Sequence, residues 1–250
     1  MSGNLRWAGL ADADLAGAAR SGSLLVVGGG TSQLSTHMAH DGWPNVLDVD
    51  FSPCVVEQRR RDSQPGDPRF VLADARYMRP LDLARSCADD NFGDNSISTP
   101  NPTATSTSSW CNKAGVSSAL FDACLDKGLV DALWCSGEDS ASQIELVAHS
   151  VAACLKPGGK FIFLSYSSPE VLQPFTVGTA GSKLAALWSR APEARKLDSL
   201  YLYVLERNNQ SFFEEDFAGG KDSPPTNLKE GDVHKRQQDL KKHRRNRKRH

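Results

Sequence analysis

Four consecutive apolar residues, Leu24-Leu25-Val26-Val27, read as a short strand buried on both faces. The strand runs straight into Gly28-Gly29-Gly30. Beyond the glycines a helix is predicted from Ser32 to about His40, with Thr31 or Ser32 near its cap and Gly42 closing it. Val46–Val49 is a second apolar run. Ser52-Pro53 then starts a second helix, because Ser can cap and Pro suits the first helical position; this helix is expected to reach about Arg61. Phe70-Val71-Leu72-Ala73 is a third strand, ending at Asp74. Strand, helix, strand, helix, strand is the order of a parallel sheet with right-handed crossovers.

From Ser86 to Ser118 the pattern breaks. The stretch is rich in Ser, Thr, Asn and Asp and poor in core formers, so it reads as a low-complexity insertion between the third and fourth strands. Regularity returns with Leu120–Asp126, a fourth strand that again ends in an acid. A helix is predicted from about Ala141 to Leu155, with Ile144, Val147, Ala148 and Val151 on one face. Lys156-Pro157-Gly158-Gly159 reads as a turn, Phe161–Ser165 as a fifth strand, and Leu200–Leu205 as the last. Between them, Ala185–Trp188 fits either a helix or a short strand. The expected organisation is an N-terminal segment over 1–22, an α/β domain over 23–210 carrying the 86–118 insertion, and a disordered basic tail over 218–250.

Composition narrows the class. The 250 residues are 39% apolar, enough for one core, and contain no run of the length that spans a membrane. The N-terminus lacks the basic flank and apolar run of a secretory signal. Six cysteines (54, 87, 111, 124, 135 and 154) are scattered without a C-x-x-C pair, so reduced thiols are expected and a metal site is not. These features favour cytoplasm, with the nucleus as a second compartment. The net charge of −1 hides an asymmetry: residues 234–250 hold nine Lys and Arg against one acid, leaving 20 basic and 29 acidic residues in the rest. The tail reads as a solvated end, a nuclear-import signal, or a weak nucleic-acid or ribosome contact.

The chemistry sits at the strand ends. Gly28-x-Gly30 opens like a dinucleotide fingerprint, but the third glycine position is Gln33, and no Gly-Lys-Ser/Thr follows for a triphosphate. A nucleoside without a pyrophosphate, such as S-adenosylmethionine, remains; the plainer reading is a glycine-rich turn. Asp50, Asp74 and Asp126 each follow a buried strand, and three acids at the carboxyl edge of a parallel sheet exceed what packing requires. In that setting Asp50 would hold the ribose and Asp74 the adenine side. Asp126 would lie near the sulfonium or the acceptor.

These residues resemble the class I S-adenosylmethionine-dependent methyltransferases. More narrowly, they resemble the methyltransferase-like group that modifies lysine or the N-terminal amine of translation elongation factor 1-alpha. The resemblance lies in Leu24–Ser35, Asn45–Ser52, Asp126-Lys127-Gly128 with Asp131-Ala132, and Leu155–Gly159, with Leu129-Val130 where the family has Thr-Leu. The Tyr-Trp pair that the family carries ahead of the first strand is absent, and Trp7 is expected to be a poor substitute. The resemblance implies a Rossmann-like seven-stranded sheet, mostly parallel with an antiparallel last strand and helices on both faces. It implies cofactor contacts at Gly28, Gly30, Ser32, Asp50, Asp74, Ala75, Asp126 and Lys127, with Asp126 as the catalytic residue. Methyl transfer to an amine needs in-line positioning and a neutral nucleophile, and no metal; Asp126 would orient the amine, and Trp134 and Tyr166 would wall its channel. The leading expectation is a protein lysine or N-terminal methyltransferase. A small-molecule methyltransferase or aminopropyltransferase, and an inactive cofactor-binding scaffold, stay open.

Overall fold

The computed structural model describes residues 22–43, 45–88, 121–137, 139–172, 183–189 and 193–209. The expected N-terminal segment (all but residue 22), the 86–118 insertion beyond residue 88 and the 218–250 tail lie outside the described residues. Strands β1 (Ser23–Val27), β2 (Asn45–Asp50), β3 (Arg69–Leu72), β4 (Phe121–Asp126), β5 (Leu155–Ser165), β6 (Glu193–Leu197) and β7 (Leu200–Glu206) form one sheet in the order β3-β2-β1-β4-β5-β7-β6. Strands β1 to β5 pair in parallel, and β7 runs antiparallel to both β5 and β6. Helices α1 (Leu34–His40), α2 (Pro53–Asp62), α3 (Pro80–Ala88), α4 (Leu129–Trp134) and α5 (Ser140–Cys154) fill the crossovers.

The doubly apolar β1 lies centrally, between β2 and β4. Leu24, Leu25, Val26 and Val27 are at most 1% exposed, and one apolar cluster extends from Leu24 and Val26 through Ala123 and Leu125 to Ile162 and Leu202. On the antiparallel side, Phe163 faces Tyr203 in register, their rings stacked 4.6 Å apart, and the Tyr203 hydroxyl donates to the Ser167 carbonyl at 2.7 Å. Such a ring pair adds about 1 kcal/mol beyond its buried area.

Several elements differ from the sequence reading. The 156–159 segment is not a free turn: β5 begins at Leu155, pairs with Phe121, and shifts register before Ala123 meets Lys160. Gly158 takes φ +73°, and a Cβ on Gly159 would lie 2.8 Å from the Lys156 carbonyl, so the two glycines form a kink inside the strand. Helices α3 and α4 are short and escaped the periodicity, which needs more than two turns to declare itself. The ambiguous Ala185–Trp188 stretch is both things weighed: a 3-10 turn over Leu184–Leu187, then a single bridge from Trp188 to Arg207. Strand β6 is exposed at four of its five residues and therefore carries no apolar signal.

Candidate active site

Register brings the chemistry to one edge. Val27, the last residue of β1, pairs with Asp126 on one side and Val49 on the other, while Asp50 pairs with Leu72, two residues before Asp74. The carboxyl ends of β1, β2, β3 and β4 therefore open together, as expected for ligand binding in a parallel sheet.

The glycine loop leaves β1 with Gly28 at φ +62° and Gly30 at φ +56°, both in the left-handed region. The Gly28 amide donates to the Val49 carbonyl at 2.9 Å, and the Gly30 amide donates to Asp50 Oδ2 at 2.9 Å. A Cβ on Gly28 would sit 2.9 Å from Leu129 Cβ. Leu129 is thus the side chain against which the loop packs. Ser32 follows as a local brace: its amide donates to the Gly29 carbonyl at 3.0 Å, and its Oγ accepts from the Leu34 amide at 3.3 Å.

The three strand-end acids do different things. Asp50, 8% exposed, spans the junction between loop and helix, because its Oδ1 also accepts from the Ser52 amide at 2.8 Å. The Ser52 side chain, expected to cap α2, makes no capping bond. Asp74 is about one-third exposed and lies in a fork with Arg76, whose Nε donates to Oδ1 at 2.9 Å and whose backbone amide donates to the same oxygen at 3.0 Å. Arg76 Nη1 continues to Gln143 Oε1 on α5. Ala75 between them is buried. Asp126 is 1% exposed; Oδ1 accepts from the Leu129 amide at 2.6 Å and Oδ2 from the Val130 amide at 2.9 Å, which caps α4. Burial pushes its pKa up to about 7, against the amides of Val130, Leu129 and Gly128 that favour the charged form. Lys127 points out of this buried turn and is exposed. Tyr166 is 72% exposed and Trp134 half-buried at the end of α4.

Three contacts were not anticipated. Asp131, on α4, accepts from Ser165 Oγ and, at 3.1 Å, from the Tyr166 amide, tying α4 to the end of β5. Arg76 was readable only as a charge next to an acid. Gly29, the variable position of the fingerprint, has no room for a side chain: a Cβ would lie 2.1 Å from Oδ1 of the buried Asp48. An acid inside the apolar run Val46–Val49 was the signal for that last contact.

A parallel five-strand core with β7 inserted antiparallel next to β5, a glycine loop after β1 and an acid at the end of β2 decide the architecture. This is the class I methyltransferase fold. By sequence, the chain is similar to EEF1A lysine methyltransferase 4 of Mus musculus, 27% identical over 155 residues, and to that of Bos taurus, 27% identical over 154 residues. Each match covers 59% of this chain and 47% of the relative, so the chain spans about half the length of the curated relatives it matches. Among solved structures, the N-methyltransferase NodS from Bradyrhizobium japonicum aligns over 81% of this chain and 94% of its own, with TM-score 0.44 and 13% identity. That superposition is too loose to add to what the strand order gives for the methyltransferase fold. No family model matches the chain. Among the described residues there is no cluster of His, Cys, Asp and Glu that could hold a metal, and no helix long and apolar enough to cross a membrane.

Proposed function

We propose that this chain is an S-adenosylmethionine-dependent methyltransferase acting on the amine of a protein lysine. The observation that carries the reading is the junction at Asp50, where one carboxylate holds the glycine loop through Gly30 and the next helix through Ser52, at the edge to which Asp74 and Asp126 also come. The lysine assignment rests on the similarity to EEF1A lysine methyltransferase 4 and on the Asp126-Lys127-Gly128 and Asp131-Ala132 match. An N-terminal amine is the neighbouring option within the same reading, and translation elongation factor 1-alpha is the first substrate to try. Cytoplasm, with the nucleus second, is the compartment that suits such a substrate.

The residues present fit the cofactor. Phe51, directly after β2, is 69% exposed and offers a ring face to a flat base, while Tyr77, 44% exposed beyond β3, has the Arg76 guanidinium 5.4 Å from its ring centre. Gly28 and Gly30 let the backbone approach the ligand closely. Each Asp50 oxygen accepts one amide and retains a lone pair for a ribose hydroxyl. Asp74 and Ala75 would line the adenine side, Ser32 the loop exit, and Lys127 the rim. When bound, S-adenosylmethionine supplies an electrophilic methyl group on a positive sulfur. The chain's part is to exclude water and hold the acceptor in line. Asp126, 1% exposed with both oxygens bonded to α4 amides, would act by fixing Lys127, Gly128 and the start of α4 beside the acceptor rather than by touching the amine. Exclusion of water around the acceptor would favour the neutral, nucleophilic amine, and with Tyr166 72% exposed and Trp134 half-buried that cover would have to come from the bound substrate itself.

Incubation with isotope-labelled S-adenosylmethionine and recombinant elongation factor 1-alpha, followed by peptide mass spectrometry, tests the reading. Label on a lysine is expected. Label confined to small molecules would redirect it to the small-molecule enzymes, and binding without any transfer would make the chain a cofactor-binding scaffold.

A further inference from the structure

Asp48 lies on β2 two residues before the strand-end acid, and it is 4% exposed. An ionisable group that deep is costly unless it is partnered, and a Val or Leu would fill the place more cheaply. Its Oδ2 accepts from Ser35 Oγ, on α1, at 2.5 Å. Arg59, on α2, stands behind this pair: its Nη2 donates to Thr36 Oγ1 at 3.0 Å and to Ser35 Oγ at 3.4 Å, and its guanidinium lies 4.6 Å from the centre of the Phe70 ring. On its other side the carboxylate presses on the glycine loop, where a Cβ at Gly29 would meet Oδ1 at 2.1 Å and Oδ2 at 2.5 Å. Gly29 is not among the loop glycines at positive φ, so what it supplies is space for this carboxylate. A cavity of about 140 Å³, lined by Thr31, Gln33, Thr36, Gln58, Arg59 and Phe70 among others, leaves the loop's exit room to shift.

We propose that Asp48 is a positioning residue for the glycine loop: its carboxylate, held by Ser35 and backed by Arg59, sets the loop conformation on which cofactor binding depends. The part about cofactor rests on the methyltransferase reading; the part about the loop does not. The charged groups that face Asp48 are Arg59 from α2 and Asp50 from its own strand. Burial pushes its pKa up to about 6, with Ser35 and Arg59 opposing and Asp50 assisting. Above that value the carboxylate is charged and attracts Arg59. Below it the group gains a proton, loses that attraction, and the loop relaxes.

The test follows the backbone amide signals of Gly28, Gly29 and Gly30 by NMR in the cofactor-free full chain, from about pH 5 to about pH 8. In the wild type they move together with a midpoint near 6, and in Asp48→Asn that transition is gone. Ser35→Ala moves the midpoint upward, because the hydrogen bond that favours the charged form is lost. This variant lacks only a hydroxyl, so the proposal stays testable if Asp48→Asn fails to fold. Calorimetry with S-adenosylmethionine should show affinity falling several-fold towards acid pH in the wild type and a flat profile in Asp48→Asn. Glycine signals that ignore pH, that titrate equally in Asp48→Asn, or whose midpoint Ser35→Ala leaves in place overturn the proposal, as does an unchanged affinity profile in Asp48→Asn. A loop that titrates as stated in a chain that binds no S-adenosylmethionine supports Asp48's hold on the loop and counts against the methyltransferase reading instead.

Discussion

The two halves of the open sheet edge use the same residue type for opposite ends. On the β1–β2 side, Asp50 joins two backbone segments that flank a loop and keeps an edge towards solvent, with exposed Phe51 beside it. On the β4–β5 side, Asp126 is sealed off, both oxygens turned back onto the first turn of α4, and Asp131 pins that helix to the end of β5. Each acid accepts an amide at each oxygen, so what separates them is where those amides lie: Asp50 bonds two segments that flank the open edge, whereas both Asp126 bonds close on the start of one helix. The first half is where binding should fail on mutation, and the second is where folding should fail.

The largest effect is expected at Asp126. Asp126→Ala strands one buried and one part-buried amide and removes the cap of α4, and should lower unfolding free energy by about 3 kcal/mol or more in urea titrations. A loss under about 1 kcal/mol would erase the contrast between the two halves. The pH dependence sharpens it. Because the folded-state pKa of Asp126 is raised to about 7, its contribution to stability is complete below the unfolded value near 4 and declines as pH rises through 7. Asp126→Asn has no such decline. Its stability deficit relative to the wild type should shrink between about pH 4 and about pH 8, measured as the gap between urea midpoints; a gap that widens contradicts the buried placement.

A middle effect is expected at Gly29. Gly29→Ala drives a methyl into the Asp48 carboxylate and should weaken S-adenosylmethionine binding at least about tenfold, a loss of about 1.4 kcal/mol by calorimetry. Wild-type affinity in that variant would mean that the loop tolerates displacement. The smallest effect on folding belongs to the Asp74–Arg76 pair. Both side chains are about a third exposed, so Arg76→Ala should change stability by less than about 1 kcal/mol. A loss well above that would place Arg76 with the folding residues of the β4–β5 side.

How much of this was written in the chain depends on the signal each element leaves. Strand β1 was legible because burial on both faces demands four apolar residues in a row, and Asp50 and Asp126 because an acid ending such a run is conspicuous. Helix α4, at six residues, is too short for periodicity, and β6 is exposed at four of its five residues, with Leu197 at its end the one that packs on the core. The kink at Gly158-Gly159 looks like a turn locally and becomes strand only through pairing with β4 and contact with Arg207, which lies far along the chain. Within the site, identity was legible and partnership was not. Asp74 was visible as an acid, but its fork with Arg76 and the reach of Arg76 to Gln143 are tertiary facts. Asp48 was visible as a polar intruder in an apolar strand, and only the packing of α1 and α2 shows why it is kept there.

The central claim is that the β1–β2 half of the edge is a cofactor site hinged on Asp50. Titration calorimetry of the full chain with S-adenosylmethionine, beside Asp50→Ala, tests it most directly. The account predicts saturable one-to-one binding by the wild type, weakened at least about tenfold in Asp50→Ala. The melting temperature of that variant should fall by no more than a few degrees. Absence of binding by the wild type, or equal affinity in Asp50→Ala, would contradict it.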